Sequence, residues 1–451
     1  MRAKNWINLD LYNAIIVYTK EALEKLQQAF PKGPTDEIIA AENDRARFSR
    51  FPFGPWRLLL LDTATERHKL ASYEKCRRTL REDPQIARQL DNSVGTPLTQ
   101  WGRQEEQLID HVLGKLPLEE NRYSITQAEI DDAYATLEDE FFCENIKVEV
   151  IAPLAGLSVH QPVQLEKTLM LRQLTRTEMD PFRLMEIEGN RVGQNSGVVA
   201  QYELPFIVGE PDEASRQKAM VQRESAKTAI ERVVWLLTLM FGMDVGCRAT
   251  CEITNPSVGG AFQFWAGSHK LLYRHNHLSN ESSQEIRRLW SDCREGNVWG
   301  RPSLDTAIRR FTYGLERLRQ DDAIVDLVIA AEAMLLESVD DPQYRGEIKY
   351  RFCLNGALCA KAIGVDPITA HRLLAKAYDI RSRLVHGGPN RKIQDDGALH
   401  ASVAAMTALL RPILLESIHR AKKNRSNIFP WQQMLFEVLR DRKLDEQLDA
   451  S

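Results

Sequence analysis

The sequence predicts a mainly α-helical α+β protein with more than one domain, and three observations support this prediction. The chain has 451 residues, whereas a single domain usually holds roughly 150. Apolar residues recur at helical spacing through much of the first 142 positions and again from residue 303 to the end. Alternating apolar and polar residues, which are typical of strands, are concentrated between these two regions.

The first region, residues 1–142, is predicted to be mostly helical. Apolar side chains at helical spacing cover Leu9–Phe30, and a Pro-Lys-Gly sequence follows. The charged segment Asp62–Arg81 also suits a helix, which Pro84 is expected to end. The segment Ser124–Gln127 has the spacing of a capping box and predicts a further helix over the next residues.

Residues 143–302 are predicted to mix strands with helix. Apolar and polar residues alternate over Ile146–Ile151, and Val163–Leu171 keeps much of the same spacing, so both segments favour strands of a small sheet. The segment Arg216–Phe241, amphipathic at first and then apolar nearly all round, predicts a helix. Thr, Val, Phe and Trp are frequent over Gly246–Leu272, which again favours strands.

The last region, residues 303–451, is predicted to be an up-and-down helical bundle. Long stretches at helical spacing are separated by short segments that contain Pro or Gly, and short loops favour antiparallel neighbours. The predicted helices are Ser303–Arg319, Asp322–Leu336, Glu347–Ala362, Ile368–Val385, Asp396–Lys423 and a short one at Trp431–Arg440.

Composition and charge exclude several classes of protein. The formal net charge of −4 excludes a nucleic-acid binder that is basic overall, although a local basic groove stays possible. The apolar run Val233–Phe241 is about half of the roughly 20 residues that a membrane helix needs, so no membrane contact is expected. Seven scattered cysteines form no disulfide framework, and the first residues do not look like a signal peptide. Both observations favour the cytoplasm.

No cofactor and no metal are expected. The sequence contains neither a G-x-x-x-x-G-K-[ST] phosphate loop nor a G-x-S-x-G elbow. Cys247 and Cys251 lie four residues apart with histidines downstream, but this spacing fits no familiar zinc finger. Buried, unmodified cysteines explain the pair better.

A more specific signal lies in the segment from Tyr378 to Gly388, YDIRSRLVHGG, at the end of a predicted helix. Arg381 and His386 have R-x4-H spacing, which alone carries little weight because the two residue types often meet in this way. Upstream, the predicted helix Asp322–Leu336 carries acidic residues on an otherwise apolar surface. The motif, its flanks, the acidic helix and the helical bundle together resemble the Apea-like branch of the HEPN domain family, over roughly the last third of the chain.

The resemblance implies a metal-independent endoribonuclease that leaves 2′,3′-cyclic phosphate ends, with Arg381 and His386 as its catalytic residues. It also implies a homodimer through the bundle, because members of the family commonly build one composite cleft from two motifs. A role in prokaryotic defence, or as a toxin, follows from the same resemblance.

The two residue types suit this chemistry. When the 2′-hydroxyl of RNA attacks the adjacent phosphate, a histidine can move the proton near neutral pH and an arginine can stabilise the developing negative charge. Residues five apart on a helix point about 140° apart, so Arg381 and His386 do not meet on one straight face. Either the Gly387-Gly388 end bends His386 back, or two copies share the site. The structural alternative for His386 is a C-terminal helix cap.

Four further residues are candidates for supporting roles. Glu332 can pair with Arg381 and fix its guanidinium group, or the pair can serve only to stabilise the bundle. Asp326 lies about 120° away from Glu332 around the helix and should serve a different neighbour. Ser382 can donate to a phosphate oxygen, and Tyr378 fits a core residue better than a stacking surface.

Basic residues outside the motif are candidate RNA contacts: Arg383, Arg309, Arg310, Lys422 and Lys423. Residues 303–451 hold 22 Lys and Arg against 20 Asp and Glu, which is +2, so the remainder of the chain carries −6. This sign suits a region that handles RNA. The structural alternative is a solvated helix face.

Two other functions stay open. The bundle can be a non-catalytic RNA- or protein-binding dimerisation module, which burial of Arg381 and His386 in satisfied pairs would favour. It can also be a subunit controlled by a regulatory partner protein, such as a nucleotidyltransferase that modifies it. An exposed tyrosine near the motif would favour that function, and Tyr378 is the close candidate.

Overall fold

The structure is a computed structural model of the chain. It describes residues 6–29, 69–102, 105–116, 125–175, 178, 196–242, 245–247, 249–255, 261–264, 276–336, 347–386, 396–423 and 428–448. The prediction of a mainly helical α+β protein with a C-terminal helical region is confirmed.

The pattern of contacts between Cα atoms divides the chain into two compact units. The first comprises Met1–Glu149, Gln201–Ser225 and Ile253–Gly260, and the second comprises Val150–Ala200, Ala226–Glu252 and Ala261–Ser451. The boundary expected after residue 302 lies inside the second unit. The three regions 1–142, 143–302 and 303–451 stay a prediction from sequence character.

Helices dominate the described part of the first unit. They are α1 (Leu9–Ala29), α2 (Ala71–Glu82), α3 (Pro84–Asp91), α4 (Glu105–Ile109), α5 (His111–Lys115) and α6 (Gln127–Phe142). Three short strands, β1 (Ser93–Gly95), β2 (Gln100–Gly102) and β8 (Ile207–Val208), form an antiparallel sheet in the order β2-β1-β8. The hydrophobic core of this unit includes three buried tyrosines: Tyr18, Tyr73 and Tyr134.

Local capping decides where two of these helices begin. The side chain of Asp83 accepts hydrogen bonds from the backbone N–H groups of Gln85 (2.9 Å) and Ile86 (3.0 Å). Helix α2 therefore ends just before Asp83, and Pro84 is the first residue of a new helix, α3. The start of the predicted helix Asp62–Arg81 lies outside the described residues.

The capping box of helix α6 was predicted two residues too early. It is formed by Thr126 and Glu129, whereas the predicted segment was Ser124–Gln127. Thr126 directly precedes the helix, so its hydroxyl reaches the N–H of Glu129, and Ser124 lies outside the described residues.

A seven-stranded sheet lies largely in the second unit, in the order β11-β10-β3-β7-β6-β5, with β9 paired to β3. Its strands are β3 (Asn145–Ala155), β5 (Val163–Glu166), β6 (Leu169–Gln173), β7 (Ser196–Pro205), β9 (Gly246–Cys247), β10 (Ala249–Asn255) and β11 (Ala261–Phe264). The predicted segment Ile146–Ile151 lies within β3. The predicted segment Val163–Leu171 lies in β5 and β6, which form an antiparallel hairpin. A separate parallel bridge joins β4 (Leu157–Ser158) to β12 (Asn276–His277).

Helices account for the rest of the described chain. They are α7 (Glu213–Phe241), α8 (Asn280–Glu295), α9 (Pro302–Glu316), α10 (Gln320–Leu335), α11 (Ile348–Ala362), α12 (Pro367–Val385), α13 (Asp396–Lys423) and α14 (Trp431–Leu448). The predicted bounds of α9 to α13 agree within three residues. Helix α14 is longer than predicted, and α8 was not predicted.

Helix α10 lies at the centre of the C-terminal bundle, where it packs against α9, α11, α12 and α13. Glycines allow close packing in the bundle. A Cβ atom on Gly356 of α11 would lie 2.1 Å from Cδ1 of Leu374 on α12. A Cβ atom on Gly296, directly after α8, would lie 2.8 Å from backbone atoms of Ala421 and Lys422 on α13.

Helix α13 corrects one expectation from the sequence. Its segment Gly397–Lys423 is long and apolar enough to cross a membrane by length and composition, although we had expected no such segment. Small and uncharged polar residues, such as Ser402 and Thr407, interrupt its apolar runs without making it strongly polar. One side of α13 is buried against α8, α10 and α12, as in the core helix of a bundle.

Candidate functional site

Arg381 lies beside the buried face of α12, next to the central helix of the bundle. That face is formed by Ala370, Leu374, Ala377 and Ile380. The Nη2 atom of Arg381 is 3.6 Å from Oε2 of Glu332 on α10, and the two side chains are 24% and 20% exposed. The structure therefore brings together the arginine and the acid that the sequence suggested as partners.

The Arg381–Glu332 pair is loose. A separation of 3.6 Å exceeds hydrogen-bond distance, and the covered Nε atom of Arg381 has no hydrogen-bond partner among the described residues. Burial raises the pKa of the Glu332 carboxyl, and the positive charge of Arg381 opposes this shift. The Nη atoms of Arg381, rather than its covered Nε, are the donors that a second anion could reach.

His386 lies at the exposed end of the same helix. Its backbone N–H donates to the carbonyl oxygen of Ser382 at 3.0 Å, so His386 is the residue that caps the C-terminus of α12, as the structural alternative from the sequence had it. No contact between His386 and Arg381 occurs among the described residues, and Gly387-Gly388 lies outside them. Since residues five apart on a helix point about 140° apart, the two side chains of one copy face different directions.

Contacts with α11 fix the motif segment of α12 in place. Tyr378 is half-buried, and its ring centroid is 5.5 Å from that of Phe352, which fits the core role weighed for this tyrosine. Nζ of Lys349 donates to both carboxylate oxygens of Asp379, at 2.7 and 2.8 Å. The first turn of α11 is thereby tied to the last turns of α12.

The surface at this end of the two helices is partly apolar. Ser382 is half-buried, whereas Arg383 is exposed and donates from Nε to a backbone carbonyl one turn earlier. Ile348, Tyr350 and Val385 are large apolar residues that are 44%, 57% and 52% exposed. Sequence reasoning missed these three residues, because helical spacing marks buried positions and does not identify exposed apolar ones.

Asp326 belongs to a different cluster from the motif. Its side chain is only 4% exposed, and it accepts hydrogen bonds from Nη1 of Arg310 (2.8 Å) and Nε of Arg317 (2.7 Å). The cluster joins α9 to α10, as the angle between Asp326 and Glu332 had suggested. Arg310, a candidate RNA contact, is engaged in this cluster.

The other candidate RNA contacts lie on α9 and α13. Nζ of Lys422 is 2.8 Å from a carboxylate oxygen of Asp292 and 3.3 Å from one of Glu295, so two acids offset its charge. Lys423 is exposed. Arg309 is half-buried, and its covered Nε atom has no hydrogen-bond partner in the described part of the chain.

The described residues contain no group of three or more His, Cys, Asp or Glu side chains that is placed to hold a metal ion. Cys247 and Cys251 are both buried, without a disulfide. Burial raises the pKa of the Cys251 thiol to about 12, and a thiol that stays protonated is a poor metal ligand.

Comparisons of this chain with models of protein families, with curated proteins and with solved structures found no match. The resemblance to the Apea-like HEPN family therefore stays a prediction that depends on the residues around Arg381 and His386.

Proposed function

We propose that this protein is a metal-independent endoribonuclease of the HEPN type. In this proposal Arg381 stabilises the scissile phosphate, His386 moves the proton from the 2′-hydroxyl, and no cofactor takes part. RNA is the substrate, and two copies of the chain form the active species. The proposed setting is the cytoplasm of a prokaryote, where the protein acts as a defence or toxin effector.

The state of Arg381 is the observation that carries this proposal. Within the same bundle, the arginines that hold Asp326 approach it to 2.7 and 2.8 Å, the usual distance for a charge-assisted hydrogen bond. Arg381 stands 3.6 Å from Glu332 and leaves its Nε atom without a hydrogen-bond acceptor among the described residues. The first arrangement suits a structural pair, and the second suits a cation that is positioned for another ligand.

Glu332 is a positioning residue in this proposal. Its half-buried carboxylate keeps the guanidinium group near the edge of α12 without bonding it tightly. An RNA phosphate that takes the free donors would weaken the hold of Arg381 on Glu332. The pKa of Glu332, which burial already raises, would then rise further, because the positive charge of Arg381 that lowers it would be partly neutralised by the phosphate.

Helix geometry favours a site made by two copies. The imidazole and the guanidinium group of one copy are about 140° apart around α12. The exposed apolar residues Ile348, Tyr350 and Val385 lie at the same end of α11 and α12 as His386. If a second copy covers them, His386 of each copy can approach Arg381 of the other.

The test is incubation of the purified full chain with a mixed pool of RNAs in the presence of EDTA. Arg381→Ala and His386→Ala are compared with the native chain, and Arg372→Ala and His371→Ala are the matched controls. Both control residues are exposed on α12 and lie outside the motif. We expect 2′,3′-cyclic phosphate ends from the native chain and both controls, and a loss of at least about 100-fold in the two motif variants.

Mixing the two inactive variants tests the shared site. If Arg381 of one copy works with His386 of the other, a mixed dimer retains one intact pair, and cleavage returns in part. Cleavage that survives both single substitutions would mean that the nuclease site lies elsewhere.

A non-catalytic dimerisation module is the second candidate. The observation in its favour is that Arg381 already has an acidic neighbour in the bundle. This function predicts that Arg381→Ala and Glu332→Ala weaken the dimer equally, as measured by sedimentation, and that no variant or native chain cleaves RNA. Tyr378 is half-buried against Phe352, which argues against its modification by a partner enzyme, whereas Tyr350 at the same end of the two helices is 57% exposed and stays open to one.

A further inference from the structure

Two histidines that are far apart in the sequence meet at the parallel bridge between β4 and β12, within the second unit. His277 is the last residue of β12 and pairs with Ser158 of β4, and His160 follows Ser158 by two positions. The ring centroids of the two histidines are 4.3 Å apart, and their planes are inclined by 52°. We call His160 and His277 the bridge histidines.

Backbone hydrogen bonds fix the position of His277. The N–H of Asn276 donates to the carbonyl oxygen of Gly156 at 2.8 Å. The N–H of Leu278 donates to the carbonyl oxygen of Ser158 at 2.9 Å. Both neighbours of His277 are therefore tied to β4, and because paired residues of adjacent strands point to the same face, its side chain lies beside that of Ser158.

His160 is held on the same face. Residues two apart in an extended chain point to the same side, so His160 follows the direction of Ser158. Val159, between them, is buried, and its N–H donates to Oγ of Ser196 at 2.9 Å. This hydrogen bond anchors the chain just before His160, so both imidazoles start from fixed backbone positions.

Ser158 determines which nitrogen of His277 is available to a ligand. Its Oγ donates to the carbonyl oxygen of Asn276 at 3.3 Å and lies 3.2 Å from Nδ1 of His277. Since the single hydroxyl proton points to the carbonyl, the hydroxyl accepts from Nδ1–H. The lone pair of His277 is then on Nε2. A histidine that binds a metal usually donates its other ring N–H to a neighbouring acceptor in this way.

Both bridge histidines are open to solvent and keep ring nitrogens for a ligand. Each is exposed, and within the described chain the ring of His160 forms no hydrogen bond or ion pair. Imidazole nitrogens suit zinc, copper and nickel ions. No third His, Cys, Asp or Glu side chain joins the pair among the described residues, so water would fill the other coordination positions.

The separation of the two rings distinguishes between these ions. At a metal–nitrogen distance of about 2.0–2.1 Å, each ring centroid lies about 3 Å from the ion, so two centroids 4.3 Å apart enclose roughly 90° at the metal. This angle is typical of the square-planar or tetragonal coordination of copper(II) and nickel(II). Zinc prefers the wider tetrahedral angle.

We propose that the bridge histidines bind a copper(II) or nickel(II) ion through Nε2 of His277 and a ring nitrogen of His160. Ser158 is a positioning residue, because it holds the imidazole of His277 through Nδ1. The ion connects β4 to β12 and therefore stabilises the folded chain. Neither histidine belongs to the Arg381–His386 motif, so this site is separate from the proposed nuclease site.

The experiment is a calorimetric titration of the full chain, freed of metal by EDTA and dialysed, with copper(II), nickel(II) and zinc(II) salts. Thermal unfolding with each ion provides a second readout. We expect one saturable site per chain for copper and nickel, weaker binding of zinc, and a higher unfolding midpoint with the ions that bind. Electron paramagnetic resonance of the copper complex should show coordination by two nitrogens.

Three substitutions locate the site. His160→Ala and His277→Ala each remove one ligand and should weaken binding on the order of 100-fold, whereas Ser158→Ala removes only the acceptor at Nδ1 and should weaken it about tenfold. His371→Ala is the matched control, because His371 is an exposed histidine on α12. Circular dichroism checks that every variant is folded.

Loss of copper and nickel binding in both bridge-histidine variants, with unchanged binding in His371→Ala, supports the site. Absence of saturable binding of copper and nickel to the native chain, or equal binding by the native chain and all variants, overturns it. Tighter binding of zinc than of nickel would refute the angle inferred at the metal. No RNA is involved, so the result is independent of the proposed ribonuclease activity.

Discussion

Replacement of Asp326 by asparagine tests whether this acid holds the bundle together. Its carboxylate is 4% exposed and accepts hydrogen bonds from Arg310 and Arg317 at 2.8 and 2.7 Å. Two charge-assisted hydrogen bonds contribute about 3–6 kcal/mol before other effects are considered. The arginine side chains are 37% and 47% exposed and regain water when the pair is lost. We therefore expect a net loss of about 2–3 kcal/mol in the free energy of unfolding.

A matched control is available on the same helix. Asp321 also accepts two hydrogen bonds from one arginine, Arg319, at 3.0 and 2.5 Å, but these side chains are 28% and 74% exposed. A surface pair of this kind contributes about 0–1 kcal/mol, so Asp321→Asn should change stability little. Urea unfolding, followed by circular dichroism at pH 7, measures both variants against the native chain. Equal losses in the two variants, or no loss in Asp326→Asn, would refute the argument that burial makes the difference.

Three further predictions follow from packing and burial. Gly296→Ala should lower stability by about 1–3 kcal/mol in urea unfolding, because its Cβ atom would lie 2.8 Å from the backbone of α13; Gly246→Ala, where no atom lies within 4 Å, is the control. Burial raises the pKa of Glu332 in the folded chain, so its contribution to stability is present at low pH and is lost as the pH rises from the ordinary glutamate pKa through the raised one. The thermal stability of Glu332→Gln relative to the native chain should therefore increase over this window, and a decrease would contradict the assignment. Burial raises the pKa of the Cys76 thiol to about 12, so iodoacetamide should label the half-buried Cys143 before Cys76 in the folded chain, as measured by peptide mass spectrometry.

Periodicity predicted the helices of the bundle well because their apolar residues form long, regular stripes. Helix α12 shows this clearly: Ala370, Leu374 and Ala377 recur every three or four positions and are buried. Helix ends were less accurate, since Gln320 and Pro302 begin α10 and α9 without standing out in the apolar pattern.

Helix α8 was missed although its sequence carries the right signals. Ser279 caps its first turn, and Ile286, Leu289, Trp290 and Cys293 are buried at the spacing of one helical face. The remaining residues are mostly charged or polar, so average apolar content is low over this stretch. A search for one buried face, rather than for a generally apolar segment, would have found it.

The ion pairs of the bundle could be predicted only in part, because sequence spacing gives directions around one helix but not distances between helices. The angle between Asp326 and Glu332 predicted that they serve different neighbours, and the structure places Arg310 and Arg317 beside one and Arg381 beside the other. Nothing in the spacing predicted that the first contact is tight and the second loose.

This difference in distance separates two uses of arginine in one bundle. An arginine that stabilises the fold satisfies its donors with a buried acid, as Arg317 does with Asp326 at 2.7 Å. Arg381 instead keeps a covered Nε atom without an acceptor among the described residues, a state that a stable fold tolerates at a cost of about 1–3 kcal/mol. The proposed nuclease site therefore depends on the arginine whose contact with an acid is loose, at 3.6 Å from Glu332.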